Sequence, residues 1–365
     1  MKAVVLVGGE GTRLRPLTYS TPKPMLPVAE VSIIERVVAH LGRHGIDEVV
    51  LSMGYRPDAF LAAFPEGTCK GVRLTYAVEP SRLDTGGGIA FAARLAGLDE
   101  TFVVMNGDVL GDVDLTELLA FHRERGAEAT IALTPVDDPS AFGVVPTDDR
   151  GRVTAFIEKP SADEAPTNNI NAGFYVFEPA VIDRIPVDGV VHLESEVFPV
   201  MVGESVLYGL ASSVYWTDTG TPPLYLQASL DYLRGLRGGD APAPGAKERH
   251  AGIWTLGASV IDGTVVAPAL IGDAAYVASG ATIEESVIGG GSRIESGARV
   301  TRSVLLQGAV VHAGAVVDHS IIGEGAVIGA GAEVTDTTVV QGGASVREGG
   351  SVAGGRIARE GGPTE

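Results

Sequence analysis

Cysteine is almost absent. Cys69 is the only one in 365 residues, so neither an internal disulfide nor a thiolate metal cluster can form, which fits a reducing compartment. Lysine is also scarce, with five in the chain, and 27 Lys plus Arg against 46 Asp plus Glu leave a formal charge of −19. That balance repels nucleic acid and anionic membrane alike and argues against polynucleotide partners. No apolar run approaches the ~18 residues of a membrane span. The N-terminal stretch MKAVVLVGGEG meets glycine after a short apolar run and has no cleavage-site pattern. The expectation is a soluble, non-exported, cytoplasmic protein without membrane partners.

What is present is globular, with 45% hydrophobic and 20% charged residues in a chain long enough for two cores. Up to about Leu236, short β-rich runs alternate with amphipathic ones, the pattern of a largely parallel sheet covered by helices. Ala3 to Val7, Glu48 to Ser52, Arg73 to Val78 and Thr101 to Met105 read as strands, and Gly88 to Leu95 as a helix. The stretch RGGDAPAPGAKERHAG, residues 237–252, has no apolar period and reads as a linker. Beyond it apolar residues recur every five or six positions from Val266 to Val339, with a period of 17 residues. The same period carries Ser286, Ser303, Ser320 and Thr337, and Gly291, Gly308, Gly325 and Gly342. This register predicts a three-sided parallel β-solenoid of about five coils over residues 253–348, followed by a tail at 349–365. Residues 1–236 are then the first domain.

The first strand runs into Gly8-Gly9-Glu10-Gly11-Thr12-Arg13-Leu14-Arg15-Pro16-Leu17-Thr18, followed by Pro22-Lys23-Pro24-Met25-Leu26-Pro27. Glycines directly after a buried strand let backbone N–H groups approach a nucleotide. A dinucleotide fingerprint would need glycine at Leu14, and a Walker A loop would need Gly-Lys-Ser/Thr, so this is a different nucleotide loop. Arg13, Arg15 and Lys23 concentrate positive charge in an acidic chain, as a polyphosphate site requires. Asp108 and Asp218 each follow a strand end, where a carboxylate can project into a cleft; a turn or cap role is the bland alternative. Asp112 and Asp114 read as turn and cap residues.

These motifs, with Asp84-Thr85-Gly86-Gly87-Gly88, Asn106-Gly107-Asp108, Phe142-Gly143-Val144-Val145, Glu158-Lys159-Pro160, Ile170-Asn171-Ala172-Gly173 and Trp216-Thr217-Asp218, resemble the sugar-1-phosphate nucleotidyltransferases over residues 1 to 235. Within that family, Leu193-Glu194-Ser195-Glu196 and the appended repeats are most similar to the mannose-1-phosphate guanylyltransferases. The resemblance implies a Rossmann-like domain with a mixed, mainly parallel sheet, then a left-handed β-helix of hexapeptide type. It implies a nucleoside triphosphate and a sugar 1-phosphate as substrates, GTP and mannose 1-phosphate first, with glucose 1-phosphate and dTTP or UTP as the alternative pair. Asp108 and Asp218 would hold Mg²⁺. Arg13 would hold the triphosphate and Lys23, a mobile point charge, would bridge the reacting phosphates. Gly8, Gly9, Gly11, Thr12 and Gly87 would meet the nucleotide, and Gly143, Glu158, Lys159, Asn171, Gly173 and Glu194 the sugar phosphate.

Two departures stand out: Ala29-Glu30-Val31-Ser32 replaces the usual Asn-x-Pro run, and Thr85-Gly86-Gly87 is a more flexible Thr-Ala-Gly. A silent regulatory subunit is a second reading, opposed by the retention of Arg13, Lys23, Asp108, Lys159 and Asp218. Acyl transfer by the solenoid is a third, resting only on His312 and His319. Solenoid ends expose strand edges that need cover, so a homo-oligomer is expected.

Overall fold

The computed structural model describes residues 1–54, 57–187, 189–237 and 241–359. Residue contacts divide the chain into two compact units, one of Met1–Gly9 with Ile34–Trp216, the other of Glu10–Ile33 with Thr217–Glu365. The glycine-rich signature is therefore cut after Gly9, and most of it is grouped with the C-terminal half.

The first unit is a mixed sheet. Its main strands are β1 (Lys2–Leu6), β2 (Glu48–Met53), β3 (Val72–Val78), β4 (Phe102–Asn106), β5 (Ala129–Pro135), β6 (Asn169–Phe177) and β7 (Leu207–Ala211), in spatial order β7-β5-β6-β4-β1-β2-β3. β1 pairs in parallel with β2 and β4 at Ala3↔Val49 and Ala3↔Val103. β6 runs antiparallel to both β4 and β5, which makes the sheet mixed. Strands covered on both faces must be apolar throughout, and Ala3, Val4 and Val5 are fully buried accordingly. Helix α1 (Asp84–Leu95) packs on β1 and β2. Its Ile89 and Ala90 join Val4, Val50, Val104, Tyr175 and Phe198 in one core.

Several boundaries differ from the sequence reading. Helix α1 begins at Asp84 instead of Gly88, because Gly86 and Gly87 both donate their N–H groups to the Val191 carbonyl, at 2.8 and 3.2 Å. Asp114 caps the next helix, α2 (Leu115–Arg125), by accepting from the N–H groups of Thr116 and Glu117 at 2.8 and 3.1 Å, as expected. Cys69 is buried and its thiol is pushed up to about 11, chiefly by desolvation, so thiolate chemistry is suppressed.

The second unit holds the signature segment, helix α3 (Pro222–Leu233) and a parallel β-helix. Its three faces carry strands in parallel register, for example Arg293↔Val310, Val300↔Val317 and Leu305↔Ile322. Ile271, Ile288, Leu305, Ile322 and Val340 stack inward on one face, and Val277, Ile294, Val311 and Ile328 on another. Each such buried side chain stabilises the stack by roughly 1.5–3 kcal/mol relative to exposure. Ser303 and Ser320 donate their backbone N–H groups to the hydroxyls of Ser286 and Ser303, at 3.1 and 3.0 Å, which satisfies buried corners.

The strict 17-residue period fails at both ends of the stack. The ladder continues through Thr338, whose hydroxyl accepts from the Gly355 N–H at 3.2 Å, and Thr337 lies outside it. Glu285, Arg302 and His319 each turn a corner with one left-handed residue, whereas Asp336 and Thr337 are both left-handed at φ 56° and 60°. One extra residue at that corner moves the register on by one. Val340 and Gly343 therefore take the places assigned to Val339 and Gly342. At the other end Val265 packs inward in place of Val266, since the pairing shifts between Val266 and Ala269.

The β structure also extends beyond the expected limits. Lys247–His250 is a strand paired with Ile253–Thr255, inside the expected linker, and Ser351–Ala353 and Arg356–Ile357 add strands inside the expected tail. Residues 238–240 of that linker and 360–365 of that tail lie outside the described residues.

Candidate active site

In the first unit Gly8, Gly9 and Asp108 follow the carboxyl ends of β1 and β4, where open α/β sheets present ligands. Gly107 donates its N–H to the Leu6 carbonyl at 2.9 Å. A methyl group on Gly107 would stand 2.6 Å from Val7 Cγ1 and 2.7 Å from the Leu6 oxygen, so only glycine fits. The turn it makes ends β4 and leaves Asp108 on the connection to Val109–Gly111. Gly9 has nothing within 4 Å of the place where a side chain would begin, so its flank is open.

Glu79 is a carboxylate that the sequence reading passed over. Its Oε1 accepts from the Ser52 hydroxyl at 3.0 Å and its Oε2 from the Leu83 N–H at 3.1 Å. Side chains added at Gly8, Gly54 and Gly88 would begin 3.7, 3.4 and 2.9 Å from those oxygens. Glycines thus keep the carboxylate accessible beside the first residue of the nucleotide signature. The available signal was a Glu-Pro pair directly after β3.

The Asp84–Gly87 turn is firmer than its composition suggests. Thr85 donates its hydroxyl to Glu194 at 2.8 Å and accepts from the Leu193 N–H at 3.0 Å. A methyl group on Gly86 would meet the Val191 oxygen at 3.0 Å, so the glycine permits close packing and the turn is not a flexible substitute for Thr-Ala-Gly. Burial raises the Glu194 carboxyl above its ordinary value of 4.5, opposed by the Thr85 hydrogen bond and aided by Glu158 and Asp84. A raised folded-state value favours the protonated form, so this stability contribution is whole below pH ~4.5 and is lost as pH rises through the raised value. Glu194→Gln stays neutral and lacks that loss. The wild type should therefore lose stability relative to the variant from pH ~4 to ~8 in urea unfolding, and a pH-independent difference would refute the assignment.

Asn171, assigned by resemblance to the sugar pocket, has a local structural task. Its Oδ1 accepts from the Gly173 N–H at 3.0 Å and its Nδ2 donates to the Tyr175 hydroxyl at 2.9 Å, across a bulge in β6. Gly173 is left-handed at φ 74°, and a methyl group there would lie 2.8 Å from Asn106 Nδ2. Glu158 and Lys159 form an exposed ion pair at 3.0 Å. Gly143 pairs with Glu158, and a methyl group on it would lie 3.2 Å from Glu158 Oε2. Lys159 is left-handed at φ 48°, a conformation that costs a non-glycine residue roughly 1–2 kcal/mol.

In the second unit the signature folds as short 3₁₀ turns, Thr12–Leu14, Leu17–Tyr19 and Lys23–Met25, opened by Gly11 at φ 63°. Asp218 is the hub. Its Oδ1 accepts from Lys23 Nζ at 3.1 Å, and its Oδ2 lies 3.8 Å from Arg13 Nη2. A methyl group on Gly220 would lie 2.7 Å from Arg13 Nη2 and 2.9 Å from Asp218 Oδ1, so that glycine keeps the group together. Arg13 is 67% exposed, whereas the Lys23 side chain is 6% exposed. Lys23 is consequently an anchored charge in this structure, in contrast to the mobile one expected. At the hairpin Pro27–Val28/Val31–Ser32, Ala29 and Glu30 are both left-handed, at φ 45° and 67°, so the departure from Asn-x-Pro makes a two-residue turn.

Comparison with known proteins identifies the family of the chain. The family described as nucleotidyl transferase matches residues 2–235, and the one described as GMPPB C-terminal domain matches residues 265–359. A mannose-1-phosphate guanylyltransferase of Mycobacterium tuberculosis is 46% identical over 72% of this chain and 74% of its own length. A mannose-1-phosphate guanylyltransferase catalytic subunit beta of Dictyostelium discoideum is 40% identical over 65% of this chain and 66% of its own. Among solved structures, HddC from Yersinia pseudotuberculosis superposes with a TM-score of 0.56 at 25% identity, over 63% of this chain and 99% of that one. By the family match across its first 235 residues and by these relatives, the chain belongs to the nucleotidyl transferases.

Proposed function

We propose that the protein joins mannose 1-phosphate to GTP, forming GDP-mannose and pyrophosphate. The carrying observation is Asp218 with Lys23 and Arg13 inside the signature segment, a carboxylate that orders two cations in a chain of net charge −19. A phosphate oxygen of the sugar 1-phosphate attacks the α-phosphorus. A new P–O bond forms, the bond from that phosphorus to the oxygen bridging to the β-phosphorus breaks, and pyrophosphate leaves with the electron pair. The sugar phosphate has a second pKa of ~6, so it is already ionised at neutral pH and needs no general base. What remains is to position two anions and offset their repulsion. Arg13 and Lys23 serve the triphosphate, and Lys159, with Glu158 on sugar hydroxyls, serves the sugar phosphate. Gly8, Gly9, Gly11, Thr12 and Gly87 admit the nucleotide, and Gly143, Asn171, Gly173 and Glu194 shape the sugar pocket. Residues 1–236 act as the catalytic domain.

A divalent cation, Mg²⁺ in this proposal, would supply further charge neutralisation. Among the described residues no three His, Cys, Asp or Glu side chains converge into a ready cage. Mg²⁺ is usually held by one or two carboxylates together with substrate phosphates, so Asp108 and Asp218 suit such an ion.

Glu79 favours guanine. Guanine presents adjacent N1–H and N2–H donors, whereas thymine and uracil present one N–H between carbonyls, and an ionised carboxylate can only accept. Incubation of the protein with each of GTP, dTTP, UTP and ATP and with mannose or glucose 1-phosphate, with products separated by mass, tests the reading. GDP-mannose should predominate, and a dominant dTDP- or UDP-glucose product would replace it.

The proposal places the enzyme in the cytoplasm as a homo-oligomer. Among the described residues no helix is long and apolar enough to cross a membrane. The strands of the last coil, Ser351–Ala353 and Arg356–Ile357, pair on one side with Glu333–Thr335 and Val339–Val340. Edges of that kind favour cover by another chain. Sedimentation should give a species of at least twice the chain mass of 37.6 kDa, and a monodisperse monomer would remove this part.

A further inference from the structure

We propose that Arg356, in the last strand of the β-helix, is a positioning residue that holds the nucleotide loop by its backbone, so that the final coil belongs to the nucleotide site. The inference rests on the functional reading above and goes beyond it. Arg356 Nη2 donates to the Arg13 carbonyl at 3.1 Å and Nη1 donates to the Arg15 carbonyl, contacts that span 343 and 341 positions of sequence. The loop needs such a donor. In its 3₁₀ turn Leu14 and Arg15 donate to the Gly11 and Thr12 carbonyls, at 3.0 and 3.1 Å. The next carbonyl, that of Arg13, would look to residue 16, which is proline and has no N–H. A guanidinium fork can serve two carbonyls at once, which a lysine ammonium on one flexible stem does less well.

The support for Arg356 is itself fixed. Arg356 pairs with Val339 and Ile357 with Val340, and Ile357 packs against the β-helix core. The far end of the same segment is tied in a similar way. Glu30 accepts from the Gly290 N–H at 2.9 Å, and the Tyr225 hydroxyl donates to the Pro27 carbonyl. Of the two cations assigned to the triphosphate, Arg13 stands at the first tie and Lys23 lies between the two. Loss of the Arg356 fork should therefore loosen the loop and weaken nucleotide binding before anything else.

The test uses the full chain with Arg356→Ala, Arg356→Lys and, as a control in the same coil, Arg359→Ala. Arg356→Ala should raise the Kd for GTP and the KM for GTP by about tenfold while moving the KM for sugar 1-phosphate by less than about twofold. Arg356→Lys should recover part of the loss, and Arg359→Ala should match the wild type. An unaltered Kd, or equal rises in both KM values, would overturn the proposal. Hydrogen exchange of residues 10–20 without any nucleotide gives a second readout, independent of which substrates the protein uses. Exchange should quicken there in Arg356→Ala, and unchanged protection would overturn the proposal even if the substrate assignment stood. Faster exchange in a protein that bound no nucleotide would instead sink the substrate assignment and leave the loop contact standing.

Discussion

Asp108→Asn should lower turnover by about 10³-fold, in line with the loss of a group that stabilises transition-state charge, while leaving the unfolding midpoint near that of the wild type. The two halves of that expectation have separate physical origins. Asparagine keeps the shape of aspartate, and the turn at Asp108 is imposed by Gly107 and its bond to Leu6, so the turn itself does not depend on the charge. A divalent cation held by Asp108 would need it, because an amide oxygen carries only a partial charge. Initial rates across a Mg²⁺ titration, beside urea unfolding of the same samples, separate the effects. Near-normal turnover in the variant would remove Asp108 from the site.

The second large effect concerns Lys23 and Asp218. Lys23→Met keeps the stem and deletes the charge, and should reduce kcat by about 10²- to 10³-fold. Asp218→Ala should destabilise the protein by about 2–4 kcal/mol, because the Lys23 side chain, 6% exposed, loses the carboxylate 3.1 Å from its ammonium group. The partly exposed Arg13, at 3.8 Å, contributes little to that sum. In a double-mutant cycle the combined variant should be less destabilised than the sum of the single ones by about 1–3 kcal/mol. Strict additivity in urea unfolding would mean that the pair does not couple, and the description of Asp218 as a hub would fall with it.

Much of this was legible because the chemistry sits in short, ordered motifs. The signature from Gly8 to Pro27, the strand ends before Asp108 and Asp218, and the Glu158-Lys159-Pro160 turn could be picked out by residue type and position. The β-helix was legible for a related reason: a coil that stacks on its neighbour must repeat the inward residues, and the period shows in one dimension. The period misled at Val266, where a shift in pairing puts Val265 inward, and at Asp336 and Thr337, where an added left-handed residue swells a corner without disturbing the inward stack. A corner residue points outward, so apolar spacing alone cannot show which side of it the register resumes.

Other features had no local signature. Gly86 and Gly87 suggested looseness, yet the Val191 carbonyl that fixes them lies more than a hundred residues along the chain. The contacts by which Asn171 also braces its own bulge, to the Gly173 N–H and the Tyr175 hydroxyl, could not be read from its motif. Glu79 was one acidic residue among 46 until three glycines were seen around it.

The sequence by itself determined the two kinds of architecture and the charged residues suited to phosphate chemistry, since each depends on residue type and spacing along one segment, and the resemblance of its motifs to a known family pointed to the reaction class. Only the tertiary structure decided that Lys23 is anchored on Asp218, that Glu79 faces the first signature glycine, and that Arg356 reaches the carbonyls of Arg13 and Arg15. Those pairings join groups whose separation in sequence exceeds any local period. They arise when each unit buries its own apolar faces and carries the polar groups at its edges to fixed places.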